Sequence, residues 1–307
     1  MRVVVLGSTG FIGGNVMKHL RGSGHTVFPY SRNTADLLDL LAISSAFKRD
    51  RPDAIVNCAA HTGSGHYVNT NAAEVFADNA QMALNLYRAV QKACPSARVV
   101  NLISNCSYPG DIGMQKETDW LKGPVHDSIF AYGNAKRTLY YTAAAFAKQY
   151  GIRSINFIIP EAFGPGDHTD PGHTHATDGM VIRLLQAKKA GAKEFLIWGT
   201  GKPVREAMFV DDVATLLLRG LTTTQDLLYP QNLGQGKGHS ILQTAKAIAK
   251  VAGFTGKLVC DTSKQDGAPK KVLNAARFKK LFPDFVFTDF EVGLEKTIAY
   301  YEKALSR

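Results

Sequence analysis

"VVVLGSTGFIGG", residues 3–14, sets an apolar run against three glycines, Gly7, Gly10 and Gly13, in the spacing G-x-x-G-x-x-G. Residues 3–6 read as a buried strand and those from Phe11 onward as a helix, which puts the glycines in the turn between them. Gly7 permits the tight turn, Gly10 lets a pyrophosphate approach the backbone, and Gly13 lets helix and strand pack closely. The helix N-terminus then stabilises the phosphate charge. An ordinary strand–turn–helix is the competing reading. The triplet's place at the head of a βαβ unit argues against it.

Outward from this stretch, short β-rich runs alternate with helical patterns. "HTVFPYS", "DAIVNCAA", "ARVVNLIS" and "RSINFIIP" read as strands; "LLAISSAFKRD", "AEVFADNAQMALNLYRAVQKA" and "FAYGNAKRTLYYTAAAFAKQYG" read as helices. Such alternation predicts an α/β fold, a Rossmann-type doubly wound parallel sheet with helices on both faces. After Pro160 the regularity lapses into "EAFGPGDHTDPGHTHATDG", a loop composition of the kind that carries function. Mixed short elements beyond it, including "ILQTAKAIAKVAG" and "FEVGLEKTIAYYEKAL", predict a smaller C-terminal α/β substrate-binding domain. The expected division is 1–163 for the dinucleotide domain, with about 231–253 returning to it, and 164–307 mainly for the substrate domain.

At 307 residues and 45% hydrophobic the chain can build a sizeable core. It has no apolar run long enough for a membrane span and enters "MRVVVLG" directly, so a soluble, cytoplasmic protein without membrane contact is expected. Cys58, Cys94, Cys106 and Cys260 lack paired or metal-type spacing, as reduced thiols do. The formal charge is 36 − 26 = +10, yet the basic residues are dispersed. That pattern favours small polyanionic ligands over nucleic acid.

The second strand ends without the acidic residue that would bind a ribose 2′-hydroxyl. Arg32 stands there instead, which suits a 2′-phosphate and hence NADP, unless it is simply a solvated loop arginine. In "YGNAK", Tyr132 and Lys136 fall four apart on one helical face. An ammonium beside the phenol is expected to lower its pKa and to make Tyr132 a proton donor to a carbonyl oxygen. Ser104 lies 132 − 104 = 28 residues upstream at a strand end, where its hydroxyl can bind the same oxygen. With the glycine loop, this Ser/Tyr/Lys set resembles the extended short-chain dehydrogenase/reductase superfamily.

The resemblance narrows. "SNCSYPG", "YGNAKR", "FGPGDHTDPGHTH", "IWGTGKPVREAMFVDDVA" and "DTSKQDGAPKKVLN" together resemble the GDP-L-fucose synthase family, NADPH-dependent epimerase–reductases acting on GDP-4-keto-6-deoxy-mannose. A thiol at a buried strand end reads first as packing. The resemblance instead makes Cys106, with His175, the proton-transfer pair at C3 and C5 of the sugar. It places Gly7, Ser8, Thr9, Gly10, Phe11, Ile12, Gly13, Arg32, Asp36, Leu37, Ala59, Ala60, Leu102, Ile103, Tyr132, Lys136, Pro160, Phe163 and His175 along NADP(H). Arg183, Trp198, Arg205, Asp266 and Lys271 fall to the nucleotide sugar, with Arg205 on the diphosphate and Lys271 near the phosphates. Trp198 is equally readable as core, and Lys271 as a solvated lysine. His168 and His173 with Asp167 and Asp170 match no common metal-ligand spacing, so no metal is expected. A homodimer is implied.

Two segments depart from the family pattern: "CAAHTGSGH" has His61 where a lysine is usual, and Glu161-Ala162 replaces Thr-Asn. Both bear on the sugar. The expectation is therefore a nucleotide-sugar epimerase–reductase. The alternatives are a 4-reductase or epimerase of another 4-keto sugar, heptose included, and a non-catalytic dinucleotide sensor.

Overall fold

The computed structural model describes residues 1–170, 173–225 and 227–306. Pro171 and Gly172 of the quoted "FGPGDHTDPGHTH" loop lie outside the described residues. The first half of the chain runs β1 (Arg2–Leu6), α1 (Phe11–Leu20), β2 (Thr26–Tyr30), α2 (Leu40–Asp50), β3 (Ala54–Asn57), α3 (Gly65–Thr70) and α4 (Ala72–Ala93). It continues with β4 (Arg98–Ser104), β5 (Met114–Gln115), α5 (Phe130–Tyr150) and β6 (Ser154–Ile159). Then follow β7 (Glu161–Phe163), α6 (Ala176–Lys189), β8 (Glu194–Trp198), β9 (Val204–Arg205), β10 (Ala207–Phe209) and α7 (Val210–Thr222). The last elements are β11 (Gln231–Asn232), β12 (His239–Ser240), α8 (Ile241–Ala252), β13 (Lys257–Asp261), β14 (Lys270–Leu273), α9 (Ala276–Leu281) and α10 (Phe290–Ala304).

Near-continuous apolar strands must be covered on both faces, and here they are. Val3, Val5, Val56, Val100 and Phe157 share one core with Val16 and Leu20 of α1 and Val213 and Leu217 of α7. Val4, Leu6, Ile55, Val99 and Ile158 share the other with Ile43 and Phe47 of α2, Leu86 and Val90 of α4 and Leu139 of α5. The six strands stand in the order β2-β1-β3-β4-β6-β11, each neighbouring pair parallel. Strand order reverses between β1 and β3, so a crevice opens beyond their C-terminal ends.

The glycine loop occupies that crevice. Gly7 has φ +70°, and a Cβ on Gly13 would lie 2.1 Å from the Gly7 carbonyl oxygen. Backbone cannot retreat as a side-chain tip can. Gly13→Ala is accordingly expected to destabilise the fold by about 3 kcal/mol, the upper part of the overpacking range, and to abolish dinucleotide binding. Denaturant melts and a cofactor titration measure the two effects.

Apolar helix faces decide the division of the second half. α6, α8 and α10 bury Leu184, Ile248 and Leu294 against Ile197 of β8 in a third core. The segment expected to return to the first domain therefore divides. β11 extends the main sheet, whereas Ala245 and Ile248 carry α8 into the other core. α7, which sequence reading assigned to the substrate domain, covers the first sheet beside α1.

One polar row interrupts the apolar interior. Buried Asn57, Asn101 and Asn156 lie side by side on β3, β4 and β6, linked amide to amide at 3.0 and 2.9 Å. Asn101 also donates to Tyr87 Oη at 2.7 Å, and Asn156 to the Leu228 carbonyl at 2.6 Å. Among the described residues no helix is long and apolar enough to cross a membrane.

Candidate active site

The loop after β1 is anchored from behind and open in front. Ser8 is buried and donates to the Tyr30 carbonyl through both N and Oγ, at 3.0 Å each. Thr9 and Gly10 are exposed. Gly10 is the N-cap of α1 and brings no side chain to the helix N-terminus, so an anionic group can sit against its N–H groups. Phe11 turns inward with its ring 5.5 Å from that of His175, Ile12 is half-buried, and Ala59 and Ala60 flank the loop at the end of β3. Arg32 is exposed beyond β2, and Asp36 accepts from Leu38 N at 2.9 Å. A dinucleotide phosphate fits this open, side-chain-free helix start. Leu37, Leu102, Ile103, Pro160 and Phe163 are buried, and Phe163 packs between Phe209 and Phe290. Leu37 and Ile103 pack in one core of the main sheet and Leu102 in the other.

Where β4 ends, the chain turns sharply. Ser104 Oγ accepts from Cys106 N at 3.2 Å, and Arg137 and Trp120 brace the turn through the Ser107 carbonyl (2.8 Å) and hydroxyl (2.7 Å). α5 presses against this turn: a Cβ on Gly133 would lie 2.7 Å from the Cys106 carbonyl. Tyr132 and Cys106 consequently pack at the edge of one small apolar cluster. Lys136 is buried; its Nζ donates to the Leu102 carbonyl at 3.2 Å and lies 5.4 Å from the Tyr132 ring centroid.

The electrostatics correct one expectation. Burial first, and the neighbouring Cys106 second, push the Tyr132 phenol above its ordinary pKa, with only a Thr62 hydrogen bond opposing. Lys136 was expected to lower it. Burial instead brings the amine itself down to about 8, and its hydrogen bond goes to a backbone carbonyl. Tyr132 is thus a protonated donor at neutral pH rather than an incipient phenolate.

His175 occupies the N-cap of α6. Its backbone N and its Nδ1 both meet Asp167 Oδ2, at 2.9 Å each. Burial disfavours the charged ring, yet Asp167, aided by Glu161 and Asp178, carries it up to about 9. Glu161, one of the two departures, accepts from Thr177 N at 2.6 Å and so steadies the first turn of α6 beneath that histidine. His168 is exposed, and His173 pairs with Asp170 at 2.5 Å. Among the described residues no group of His, Cys, Asp and Glu is arranged to hold a metal ion.

Cationic residues close the other side. Lys271 Nζ donates to Cys106 Sγ at 3.6 Å. Arg205 lies within charge range of Glu161, Cys106 and Asp266, and Glu161 is likewise within charge range of His175. Asp266 binds Thr200 through N at 3.0 Å and Oγ1 at 2.6 Å, next to Trp198. Trp198 is 59% exposed, with the Arg183 guanidinium stacked 4.3 Å from its ring centroid. It is no core residue.

Residues 3–232 match the model of the NAD dependent epimerase/dehydratase family. The chain belongs to that family. A probable GDP-L-fucose synthase of Drosophila melanogaster is 30% identical over 98% of this chain and 97% of its own length. A GDP-L-fucose synthetase from Naegleria fowleri, solved bound to NADP, has TM-score 0.88 and 28% identity, covering 99% of this chain and 93% of that one. The fold is shared with a GDP-6-OMe-4-keto-L-xylo-heptose reductase from C. jejuni, at TM-score 0.88, 18% identity and coverage of 98% and 97%. As a member of the epimerase/dehydratase family the protein is an enzyme of nicotinamide-dependent sugar chemistry, and its resemblance to GDP-L-fucose synthases spans nearly the whole chain.

Several residues of this epimerase-family site escaped sequence reading. Thr62 touches the Tyr132 phenol, Asp167 orients His175, and Glu206 is sealed behind Arg205, where it accepts from Leu273 N at 2.8 Å. Asp167 had been weighed only as a metal ligand. Its position eight residues before His175 was the available signal.

Proposed function

We propose that the protein is an NADPH-dependent epimerase–reductase of a GDP-linked 4-keto-6-deoxy sugar, acting on C3 and C5 before C4. The observation that carries this reading is the convergence of Ser104, Cys106 and Tyr132 at one turn, with Lys271 on the thiol. Hydrogens next to a ketone become removable when the enolate oxygen is held, and Ser104 and Tyr132 are the donors for it. Cys106 removes such a proton as a thiolate, with the Lys271 ammonium as counter-charge. His175, charged through Asp167, returns a proton to the opposite face. The glycine loop would hold NADPH, with Arg32 available to its 2′-phosphate, and the cofactor would supply hydride for C4. Tyr132 protonates the oxygen, Lys136 sits behind it, and Arg205, Arg183, Trp198 and Asp266 receive the nucleotide diphosphate. The enzyme works in the cytoplasm and as a homodimer, the latter reading supported by Phe130, Tyr141 and Phe76, which are 61%, 56% and 40% exposed on α5 and α4.

Incubation with GDP-4-keto-6-deoxy-mannose and NADPH in deuterated water tests it. Deuterium at C3 and C5 with NADPH consumption is expected. Hydride transfer without exchange would favour the pure 4-reductase reading, for which the Glu161-Ala162 and His61 departures speak.

The pH profile gives a second check. Lys136 loses its proton as pH rises through about 8 and His175 as it rises through about 9. Both are used charged, so kcat is expected to fall on the alkaline side across that window, about tenfold per pH unit for each group lost. The His175–Asp167 pairing follows the same sign in stability. His175 is raised above its ordinary value of 6.5, so its contribution is full below that pH and lost as pH climbs through about 9.

A further inference from the structure

We infer that Tyr67, set by His61 and Asp78, is a sugar-hydroxyl acceptor that helps choose the substrate of this site. The inference rests on the nucleotide-sugar reading above. His61 stands at the end of the third-strand segment, where its Nδ1 meets Asp78 Oδ2 at 2.8 Å and its Nε2 meets Tyr67 Oη at 2.9 Å. The polarity of this row follows from chemistry. A carboxylate only accepts, so in the neutral ring Nδ1 carries the hydrogen and Nε2 accepts. Tyr67 then donates its one hydrogen to His61, and what it has left to present is lone pairs. Backbone contacts hold the row rigid: His61 N donates to Asn79 Oδ1 at 3.2 Å, and Asn79 Nδ2 donates to the His61 carbonyl at 2.7 Å.

Position puts the row at the reacting end of the ligand. Thr62, the next residue, lies beside the Tyr132 phenol and opposes the rise in its pKa. Tyr67 packs on the same small cluster as Cys106 and Tyr132, while the His173 ring, from the loop carrying His175, lies 4.8 Å from the Tyr67 ring, centroid to centroid. Tyr67 therefore stands between the Cys106 side and the His175 side of the cleft, and it is only half-buried. An aromatic alcohol with its proton committed elsewhere, at that place, receives a hydroxyl of the sugar. Tyr67 touches the ligand; His61 and Asp78 are positioning residues.

Calorimetric titration of the NADP-loaded protein with unreactive GDP-mannose, and separately with GDP, tests this. Tyr67→Phe is expected to weaken GDP-mannose about tenfold, the scale of one buried hydrogen bond, and to leave GDP unchanged. His61→Leu should reproduce the loss, and His61→Gln, whose amide oxygen accepts from the phenol, should recover part of it. Equal affinities of wild type and Tyr67→Phe for GDP-mannose overturn the inference, as does an equal loss for GDP or a lowered melting temperature that accounts for the change. If wild type binds neither nucleotide, the nucleotide-sugar reading itself fails and this inference with it.

Discussion

Tyr132→Phe is expected to lower ketone reduction about 10³-fold while NADPH affinity stays within a few-fold. The single atom removed is the proton donor for the oxygen at C4. Burial keeps that phenol protonated, and its polar neighbour Thr62 is small and neutral. Nothing nearby replaces it well: Lys136 points its hydrogen bond at the Leu102 carbonyl, and the Ser104 hydroxyl, which already serves as the second donor to that oxygen, is a weaker acid than a phenol. The ring itself remains, so the packing with Val68 and Ile129 is kept and the fold should melt normally. Single-turnover NADPH oxidation, set beside a fluorescence titration of NADPH, separates chemistry from binding. An unchanged turnover rate would leave the non-catalytic sensor as the better account.

Cys106→Ser should separate two chemistries that share one turn. A serine hydroxyl is a far weaker base than a thiol, so deuterium exchange at C3 and C5 is expected to fall by at least about 10²-fold. Reduction draws on Tyr132, Lys136 and Ser104, all of which the substitution leaves in place, and should persist on the unepimerised ketone. Lys271, whose amine donates to the sulfur at 3.6 Å, would keep a hydroxyl to bond to, so the pocket is not expected to collapse. Mass spectrometry of the product formed in deuterated water reads both outcomes at once. Retention of full exchange would remove the cysteine from the mechanism.

Local features of the molecule were legible in the residues. The spacing of the glycine loop lies within a dozen positions, and the strand–helix alternation follows from apolar periodicity; both can be read along the chain. Pairings across long separations cannot. Lys271 reaches Cys106 from 165 residues away, and in sequence "APKK" is indistinguishable from a solvated basic run. β11 is two residues long, too short for any periodicity, and is recruited to the sheet only by its neighbour β6. α7 and α8 are both amphipathic, so their patterns say that each docks but not on which core. The Tyr132 shift was read with the wrong sign for a related reason. The lysine partner was visible four residues on, whereas the depth of burial that raises the phenol is a property of the whole fold.

The amide row of Asn57, Asn101 and Asn156 has a consequence for where the reacting groups sit along the strands. Sliding β4 by one residue against its neighbours would turn three amides onto apolar side chains and leave their polar atoms stranded in a dry interior. Purely aliphatic strands carry no such penalty, since Val against Ile is nearly as good one step along. The row therefore works as an axial ratchet pin. It fixes how far β3 and β4 project beyond the sheet, and with that the height at which Ala59 and Ser104 leave it. A substitution such as Asn101→Leu should be felt less as lost stability than as blurred placement of the turn that carries Cys106.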